Sequence, residues 1–205
     1  MNIILTDKQR EIYKDVINEL FKLCPDTMSR KIPRANVQQA FVLDAVKKLS
    51  NKNSKILSVG SYEDTASESL VKLGYQLTEI DPAINVDLNQ FFLSTQEKFD
   101  TILSTSVIEH VENDELFIDQ ICKLLKVGGS AVLTCDFRDD YKPGHPKPSE
   151  DYRLYTKNDL LIRFKSILDN NGCVLSGEPD YDHAPDFQYQ VYWYSFATYV
   201  FKKIQ

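Results

Sequence analysis

A glycine turn and an acid stand where a nucleotide-binding unit needs them. Gly60 ends the apolar run ILSV, a helix-like stretch follows, and Asp81 ends the next apolar run, LTEI. A carboxylate at the C-terminal end of a strand can accept hydrogen bonds from both hydroxyls of a ribose. A helix that starts after a glycine turn presents free backbone N–H groups to the ligand. Strand, turn, helix, strand and acid predict a nucleotide-binding βαβ unit over residues 56–81.

The same turn argues against a dinucleotide. The dinucleotide fingerprint has three glycines, and the second lets the backbone approach a pyrophosphate. Only Gly60 is present here, because Tyr62 and Thr65 occupy the other two positions. A pyrophosphate would meet side chains where it needs bare backbone. An NAD(P)-dependent oxidoreductase is therefore an alternative that the turn disfavours.

The apolar pattern places this unit in a longer alternation of short strands and helices. Such an alternation predicts an α/β fold with a mostly parallel sheet covered on both faces. The β-rich end of the chain favours a final antiparallel strand. The predicted strands are 55–59, 76–80, 84–86, 100–104, 130–136, 172–176 and the run 189–203, and the predicted helices between them are 65–73, 114–125 and 157–170, the last capped by Thr156.

The first fifty residues read as helical. Apolar residues at helical spacing predict helices over 7–23 and 37–49, and two prolines predict a loop over 24–34. We interpret residues 1–50 as a helical cap on an α/β core at 55–205, within a single domain over 1–205. The loop of the cap could reach the ligand; the alternative is that both helices are purely structural.

The composition limits the kinds of partner that the protein is expected to bind. The chain has 205 residues, is 42% hydrophobic and 26% charged, and carries a net charge of −6 without a basic run. These values are typical of a soluble globular protein, and nucleic acid is not an expected partner. A small neutral or cationic substrate fits the charge better. The four cysteines form no CxxC pair, so neither a zinc site nor a disulfide framework is predicted. No membrane span is apparent, and we expect a cytoplasmic protein.

Four segments together resemble the class I S-adenosyl-L-methionine (SAM) methyltransferases, in the small-molecule branch that carries an EHV motif. The resemblance covers about residues 50–177 and implies a Rossmann-like, doubly wound, seven-stranded sheet. Its implied strand order is 3-2-1-4-5-7-6, with strand 7 antiparallel. The segments are ILSVGS at 56–61, EIDP at 79–82, FDTILSTSVIEHV at 99–111 and LLKVGGSAVLTCD at 124–136, and RLYTKNDL at 153–160 is also similar.

The resemblance implies SAM as the cofactor and assigns a set of contacts to it. Asp81 and Pro82 correspond to the ribose position. Asp87 and Leu88 correspond to the adenine position, with a plain helix cap as the alternative for Asp87. Thr105 and Ser106 should line the methionine side. The implied cofactor-binding residues are Gly60, Ser61, Tyr62, Asp64, Asp81, Pro82, Asp87, Leu88, Thr105 and Ser106.

The turn departs from the family pattern. Ser58 stands where the family usually has an acid in strand 1, and Tyr62 and Asp64 replace two glycines. Because SAM has a charged amino-acid tail and no pyrophosphate, carboxylates of Glu63 and Asp64 could hold its ammonium group. Asp64 or Thr65 should cap the following helix. The alternative is a solvated turn around a site that binds SAM weakly or not at all.

Glu109 and His110 are the predicted catalytic residues. They stand where the chain leaves strand 4, which the resemblance places beside the methyl donor. With an unperturbed pKa near 6.5, a histidine there suits a general base for a hydroxyl acceptor. The alternative is a structural histidine that orders the loop. Relatives that methylate quinone-ring hydroxyls bind a metal through ExxEH; Ser106 replaces the first Glu, so no metal is predicted.

The function that follows is SAM-dependent methyl transfer to an oxygen or nitrogen of a small molecule. The long loop 137–155 resembles that of methyltransferases found with glycan-building enzymes, so sugars and cell-envelope glycan precursors are the leading acceptor class. A degenerate, non-catalytic binding subunit is the second alternative beside the oxidoreductase, and the oligomeric state is left open. Further candidates near the acceptor are His145, Tyr152, Arg153 and His183.

Overall fold

A computed structural model describes all residues, 1–205, and a seven-stranded sheet lies at its centre. The strand order is β2-β1-β3-β4-β7-β5, with β6 paired to β7. Strands β1 to β4 are parallel, and β7 runs antiparallel to its neighbours. The doubly wound sheet with an antiparallel last strand is therefore confirmed. The strands are β1 (Ile56–Val59), β2 (Leu77–Ile80), β3 (Phe99–Thr105), β4 (Leu125–Phe137), β5 (Cys173–Leu175), β6 (Phe187–Tyr189) and β7 (Tyr192–Lys203).

One predicted strand is wrong. Residues 84–86 form no strand, and β2 is the edge of the sheet. The backbone N–H groups of Ile84 and Asn85 donate to the carbonyl of Asp81, at 3.0 and 2.9 Å. The Asn85 side chain in turn accepts from the N–H of Asp81 at 3.0 Å. These bonds fold the segment into a turn, because the donors that a strand would offer its neighbour are used locally. Strand β6 brings the total to seven.

Helices cover both faces of the sheet. On one face α4 buries most of its length against β3, β4 and α5. On the other, α7 and α8 pack against each other and the sheet. The helices are α1 (Asp7–Ile12), α2 (Lys14–Leu23), α3 (Pro25–Arg30), α4 (Val37–Leu49), α5 (Thr65–Lys72), α6 (Leu88–Ser94), α7 (Asp114–Leu124) and α8 (Phe164–Asn170).

Successive strand residues feed two separate cores. Leu57 and Ile102 belong to the cluster under α7 and α8, whereas Ile56 and Leu103 belong to the cluster under α4 and α5. This follows from the alternation of side chains along a strand. The N-terminal helices contribute to the second cluster, so they are part of the packed core. The single-domain division at residues 50 and 55 stays a prediction.

The N-terminal segment differs from expectation in two places. The helix predicted over 7–23 is broken at Tyr13 into α1 and α2. The loop predicted over 24–34 contains α3 and a 3-10 turn, Pro33–Asn36. Pro25 is the first residue of α3, where its fixed φ suits a helix and its missing N–H costs no hydrogen bond. The prolines predict a loop here, whereas Pro25 starts a helix.

The late helix is confirmed with an irregular start. A π-helical turn, Asp159–Arg163, precedes α8. The N–H of Asp159 donates to the Thr156 hydroxyl at 3.2 Å, so Thr156 caps this helix as predicted. No helix in the structure is long and apolar enough to cross a membrane.

The C-terminal ends of the parallel strands meet at one edge, and the long loop lies against it. Residues 138–155 leave β4 and return to it, because Tyr155 donates its N–H to the carbonyl of Asp136 at 2.9 Å. Tyr152 donates its N–H to the carbonyl of Glu109 at 2.7 Å, which ties the loop to the segment after β3. This edge is where ligands bind in open α/β sheets.

Candidate functional site

A cleft of about 850 Å³ opens at this edge of the sheet. It lies over the ends of β1, β2 and β3 and against the start of α6 and α7. Of the residues predicted to bind a cofactor, all but Ser61 line it. Those residues are Gly60, Tyr62, Asp64, Asp81, Pro82, Asp87, Leu88, Thr105 and Ser106, and His110 lines the cleft as well.

Gly60 is required by both conformation and space. Its φ is +78°, in the left-handed region that favours glycine, and a Cβ there would lie 2.3 Å from Cγ2 of Val107. The N–H groups of Gly60 and Ser61 both donate to the carbonyl of Ile80, at 2.9 and 3.2 Å. The turn is thereby held against β2 and the segment after β3, which brings the strand ends together.

Asp64 caps α5 and is almost completely buried. Its carboxylate accepts from the Ala66 N–H at 3.0 Å, the Ser67 hydroxyl at 2.9 Å and the Thr105 hydroxyl at 3.3 Å. Ser67 also contacts the hydroxyl of Ser58 at 2.6 Å. Burial raises the pKa of Asp64 above its ordinary value, although these hydrogen bonds oppose the rise. The Asp64 carboxylate is thus linked to Ser58 of β1 through two hydroxyl groups.

Two charged residues close to Asp64 differ in their ion pairing: Glu63 has a cationic partner, and Lys31 is in no ion pair. Glu63, at φ +53°, accepts two hydrogen bonds from the Arg30 guanidinium, the shorter at 2.8 Å. The Glu63 carboxylate therefore already has a cationic partner, whereas the sequence suggested that it could hold the ammonium group of SAM. Lys31 lines the cleft and takes part in none of the ion pairs of the structure. A free cation and the Asp64 carboxylate therefore face the same cleft.

Asp81 and Asp87 are both fixed by backbone donors. Asp81 accepts from the N–H of Tyr62 at 3.1 Å and from that of Ala83 at 2.7 Å, one on each oxygen. Each oxygen keeps a lone pair for a ligand. Asp87 accepts from the N–H of Gln90 at 2.8 Å and forms a capping box at the start of α6. Asp87 is therefore a helix cap that also borders the cleft.

A second cavity, of about 230 Å³, adjoins the first. Ser106 and His110 line both, so they form the wall between them. Ser106 has a φ of +55°, which is uncommon outside glycine and turns its side chain into this wall. The remaining lining comes from the N-terminal segment, the end of β4, the long loop and β6–β7: Ile32, Ala35, Gln38, Asp136, Pro148, Glu150, Asp151, Phe187, Tyr189, Tyr194 and Phe196.

Glu109 is buried behind this wall and lines neither cavity. The Ser106 hydroxyl donates to its Oε1 at 2.6 Å, while its Oε2 has no hydrogen-bond partner. Burial raises the pKa of the Glu109 carboxyl, against the lowering effect of the His110 charge. Glu109 therefore holds Ser106 in place, and its predicted catalytic role stays a prediction.

His110 carries an altered acidity. Its Nδ1 lies 3.2 Å from Oδ1 of Asp151 and 3.1 Å from the carbonyl of Glu150. The hydrogen bond with Asp151 raises the pKa of His110 to about 9, although burial opposes the rise. The protonated imidazole is therefore favoured at pH 7. This differs from the unperturbed pKa near 6.5 that suits a general base, and the general-base role stays a prediction.

Asp136 is the acid that sequence reasoning missed. It is the last residue but one of β4, with 5% of its surface exposed, and its Oδ1 has no hydrogen-bond partner. Burial raises the pKa of Asp136 well above its ordinary value, and the charges of Glu109 and Asp151 raise it further. The available signal was the same as for Asp81, an acid directly after an apolar strand.

Several predicted residues lie elsewhere. Ser61 is buried and turned away from the cleft, with its hydroxyl 3.5 Å from the carbonyl of Ile80. Arg153 pairs with Asp114 at 3.2 Å. His145, Tyr152 and Arg153 line a separate surface cavity, and His183 lines neither the cleft nor the second cavity.

The N-terminal segment supplies three site residues that the sequence did not single out. Lys31 and Gln39 line the cleft, and Gln38 lines the second cavity and donates to the Ser106 hydroxyl at 3.3 Å. The prediction that this region could reach the ligand thus agrees with its position. No group of three or more His, Cys, Asp and Glu side chains is arranged to hold a metal ion.

Comparison with known proteins points in one direction. The family model described as a methyltransferase domain matches residues 30–188. The mitochondrial ubiquinone biosynthesis O-methyltransferase of Dictyostelium discoideum is 28% identical over 109 residues, which are 52% of this chain and 31% of that protein. The chain therefore spans less than a third of that relative. The ubiquinone biosynthesis O-methyltransferase of Bartonella quintana (strain Toulouse) is 29% identical over 176 residues, 71% of this chain and 70% of its own length.

A solved structure shares the fold. It is the 1,6-didemethyltoxoflavin-N1-methyltransferase of Burkholderia thailandensis with bound 1,6-didemethyltoxoflavin and S-adenosylhomocysteine. The TM-score is 0.58 with 11% sequence identity, and the match covers 95% of this chain and 88% of that one. At this identity the likeness is one of architecture.

Proposed function

Because the chain belongs to the methyltransferase domain family, we propose that it transfers the methyl group of SAM to an oxygen or nitrogen of a small molecule. One observation carries the proposal: two cavities, of about 850 and 230 Å³, meet at Ser106 and His110. Direct transfer requires donor and acceptor to be held in contact and in line. Two adjoining cavities of unequal size supply such an arrangement, with the larger for SAM and the smaller for the acceptor.

The residues of the larger cleft fit SAM. The free lone pairs of Asp81 would accept from the ribose hydroxyls, and Leu88 would pack on the adenine beside Asp87. Lys31 is the unpaired cation that the SAM carboxylate needs, and Asp64 is the buried acid that its ammonium group needs. When bound, SAM supplies a methyl group activated by a cationic sulfonium. The chain contributes alignment, exclusion of water and a place for the acceptor's proton.

The same residues argue against a dinucleotide. A pyrophosphate binds at a helix N-terminus because the free N–H groups there attract anions. Here the Asp64 carboxylate occupies the N-terminus of α5 and accepts the Ala66 N–H. A second anion would be repelled at this position. Tyr62 also projects into the cleft, with 59% of its surface exposed.

The acceptor atom is the finer part of the proposal. The names of the matched relatives support oxygen, and the Burkholderia neighbour is a nitrogen methyltransferase. A sugar or glycan-precursor acceptor rests only on the resemblance of the loop 137–155. Methyl transfer to a small molecule is the common denominator.

Transfer of an isotopically labelled methyl group tests the proposal. The full chain is incubated with SAM carrying a deuterated methyl group and a pool of small metabolites, and products are followed by mass spectrometry. We expect labelled methyl groups on a small molecule, and S-adenosylhomocysteine in equal amount. A chain that binds SAM but transfers no label to any acceptor would be a non-catalytic binding subunit, and the proposal would be overturned.

A further inference from the structure

The charged side chains that line the smaller cavity are mostly acidic. Asp136, Asp151 and Glu150 line it, and Glu109 lies directly behind Ser106. No lysine or arginine lines it, and His110 is the one cationic group on its wall. Lys147 approaches from outside, where its ammonium group donates to the backbone carbonyl of Asp151.

The unpartnered atoms around this cavity are of one kind. Oδ1 of Asp136, Oδ2 of Asp151 and Oε1 of Gln38 are buried and accept no hydrogen bond. Asp136 and Asp151 are 5% and 4% exposed. Leaving a buried acceptor unpaired costs roughly 1–3 kcal/mol, and more when it is charged. Three unpartnered acceptors on residues that line one cavity therefore indicate a ligand that brings hydrogen-bond donors.

The charges favour a cation over a neutral donor. Asp151 pairs with His110 at 3.2 Å, whereas neither Asp136 nor Glu109 takes part in a salt bridge. Burial raises the pKa of Asp136 and so favours its neutral form, which hydroxyl groups alone would not change. A cation beside Asp136 would favour the ionised form, because an opposite charge lowers the pKa of a carboxyl group. A protonated amine supplies both the donors and the charge.

An aromatic wall completes the cavity. Phe187 packs on Phe196 with ring centroids 4.6 Å apart, and Tyr194 lies 5.2 Å from Phe187. All three residues line the cavity together with the acids. The negative faces of aromatic rings attract ammonium groups, by about 2 kcal/mol in a site shielded from water. A cavity lined by both carboxylates and aromatic rings suits an organic cation.

We propose that the smaller cavity binds a single-ring molecule through a protonated amine, held by Asp136 and Asp151 against the wall of Phe187, Tyr194 and Phe196. The proposal rests on the proposed function, because it names the class of acceptor that this cavity admits. Its volume of about 230 Å³ equals the share of roughly eight water molecules, so one ring fits. The accepting atom lies toward Ser106 and His110, where the two cavities meet. Anionic acceptors are excluded.

Three ring compounds of matched size test the proposal. The full chain, with and without S-adenosylhomocysteine, is titrated by NMR with cyclohexylamine, cyclohexanol and cyclohexanecarboxylate. We expect cyclohexylamine to bind at least tenfold more tightly than cyclohexanol, and the carboxylate not to bind. Asp136→Asn should remove this preference. Asp140→Asn is the matched control, since it deletes the same charge from an exposed residue that pairs with Arg138.

The possible results distinguish failure of the cation site from failure of the proposed function. Equal affinity for amine and alcohol, or an unchanged preference in Asp136→Asn, would overturn the proposal. Binding of Mg²⁺ alone that disappears in Asp136→Asn would assign these carboxylates to a metal ion and overturn it as well. Loss of S-adenosylhomocysteine binding with the amine preference intact would instead contradict the proposed function and leave the cation site standing.

Discussion

The larger cleft and the smaller cavity treat their acids in opposite ways. In the cleft, Asp64, Asp81 and Asp87 each accept at least one hydrogen bond from a backbone N–H of a turn or of the first turn of a helix. In the smaller cavity, Asp136 and Asp151 each leave a buried oxygen without a partner. The first site is complete before a ligand arrives, whereas the second is not.

The difference shows how each site is encoded. The acids of the cleft are held by turns and helix caps, so the local sequence both places them and satisfies them. The acids of the smaller cavity come from the end of β4 and the loop 138–155, which meet only in the folded chain. Apart from Ser106 and His110, which form the shared wall, the residues of the smaller cavity do not line the cleft.

The largest effect should come from Gly60→Ala, which attacks the framework of the cleft. A Cβ at this position meets Val107 at 2.3 Å, and the φ of +78° is itself unfavourable for alanine. The strain should cost about 2–4 kcal/mol of the free energy of unfolding, measured by urea denaturation. Gly144→Ala is the control, since its φ is +90° with nothing within 4 Å of a Cβ. Equal losses in both variants would show that the contact with Val107 is unimportant.

Next in size is the effect of Asp81→Ala on the cleft. Loss of its hydrogen bonds to the ribose should weaken SAM binding at least tenfold, or about 1.4 kcal/mol, measured by calorimetry. Ser61→Ala is the neighbouring control, because Ser61 is turned away from the cleft. Unchanged affinity in Asp81→Ala would remove Asp81 from the ribose role, and a tenfold loss in Ser61→Ala would contradict the placement of that turn.

Asp136→Asn should stabilise the protein in a pH-dependent way. Because burial raises the pKa of Asp136, the folded chain holds this proton at a pH where the unfolded chain has released it. Stability therefore falls as the pH rises through the raised pKa. The variant should melt a few degrees above the parent at pH 8, with a smaller gap at pH 5. A constant gap across this range would mean that Asp136 is satisfied in the folded chain.

The smallest expected effect, in Asp151→Asn, is a change in the pKa of one residue, His110. Asp151 raises the pKa of His110 to about 9, so its loss should return that pKa toward 6.5 in an NMR titration. The ion pair contributes stability fully below pH 6.5 and loses it as the pH rises through 9. A His110 pKa that stays near 9 in the variant would assign the shift to Glu109 or to the Glu150 carbonyl.

The parts of the fold predicted from sequence are those with a strong local pattern. Apolar runs predicted β1, β3 and β4, and apolar residues at helical spacing predicted α4 and α7. These patterns were sufficient because the spacing of apolar residues within one segment distinguishes a strand from a helix. The strand predicted at 84–86 failed because the Asn85 side chain and the Asp81 carbonyl take up the local donors. An apolar triplet does not reveal such a turn.

The site residues also differ in whether the local sequence pattern identifies them. Asp81 and Gly60 could be identified because strand, turn and acid are contiguous. Lys31 and Gln38 could not, since each reaches its cavity through packing between distant segments. The acidity of His110 was also out of reach, because Asp151 approaches it only when the loop 138–155 folds back onto β4.

Parallel calorimetric titration of the chain with SAM, S-adenosylhomocysteine and NAD tests the central claim most directly. A cleft with Asp81 at the ribose position and Asp64 at the N-terminus of α5 should bind the first two with micromolar affinity and NAD not at all. Binding of NAD, or of none of the three, would contradict the assignment of the larger cavity to SAM.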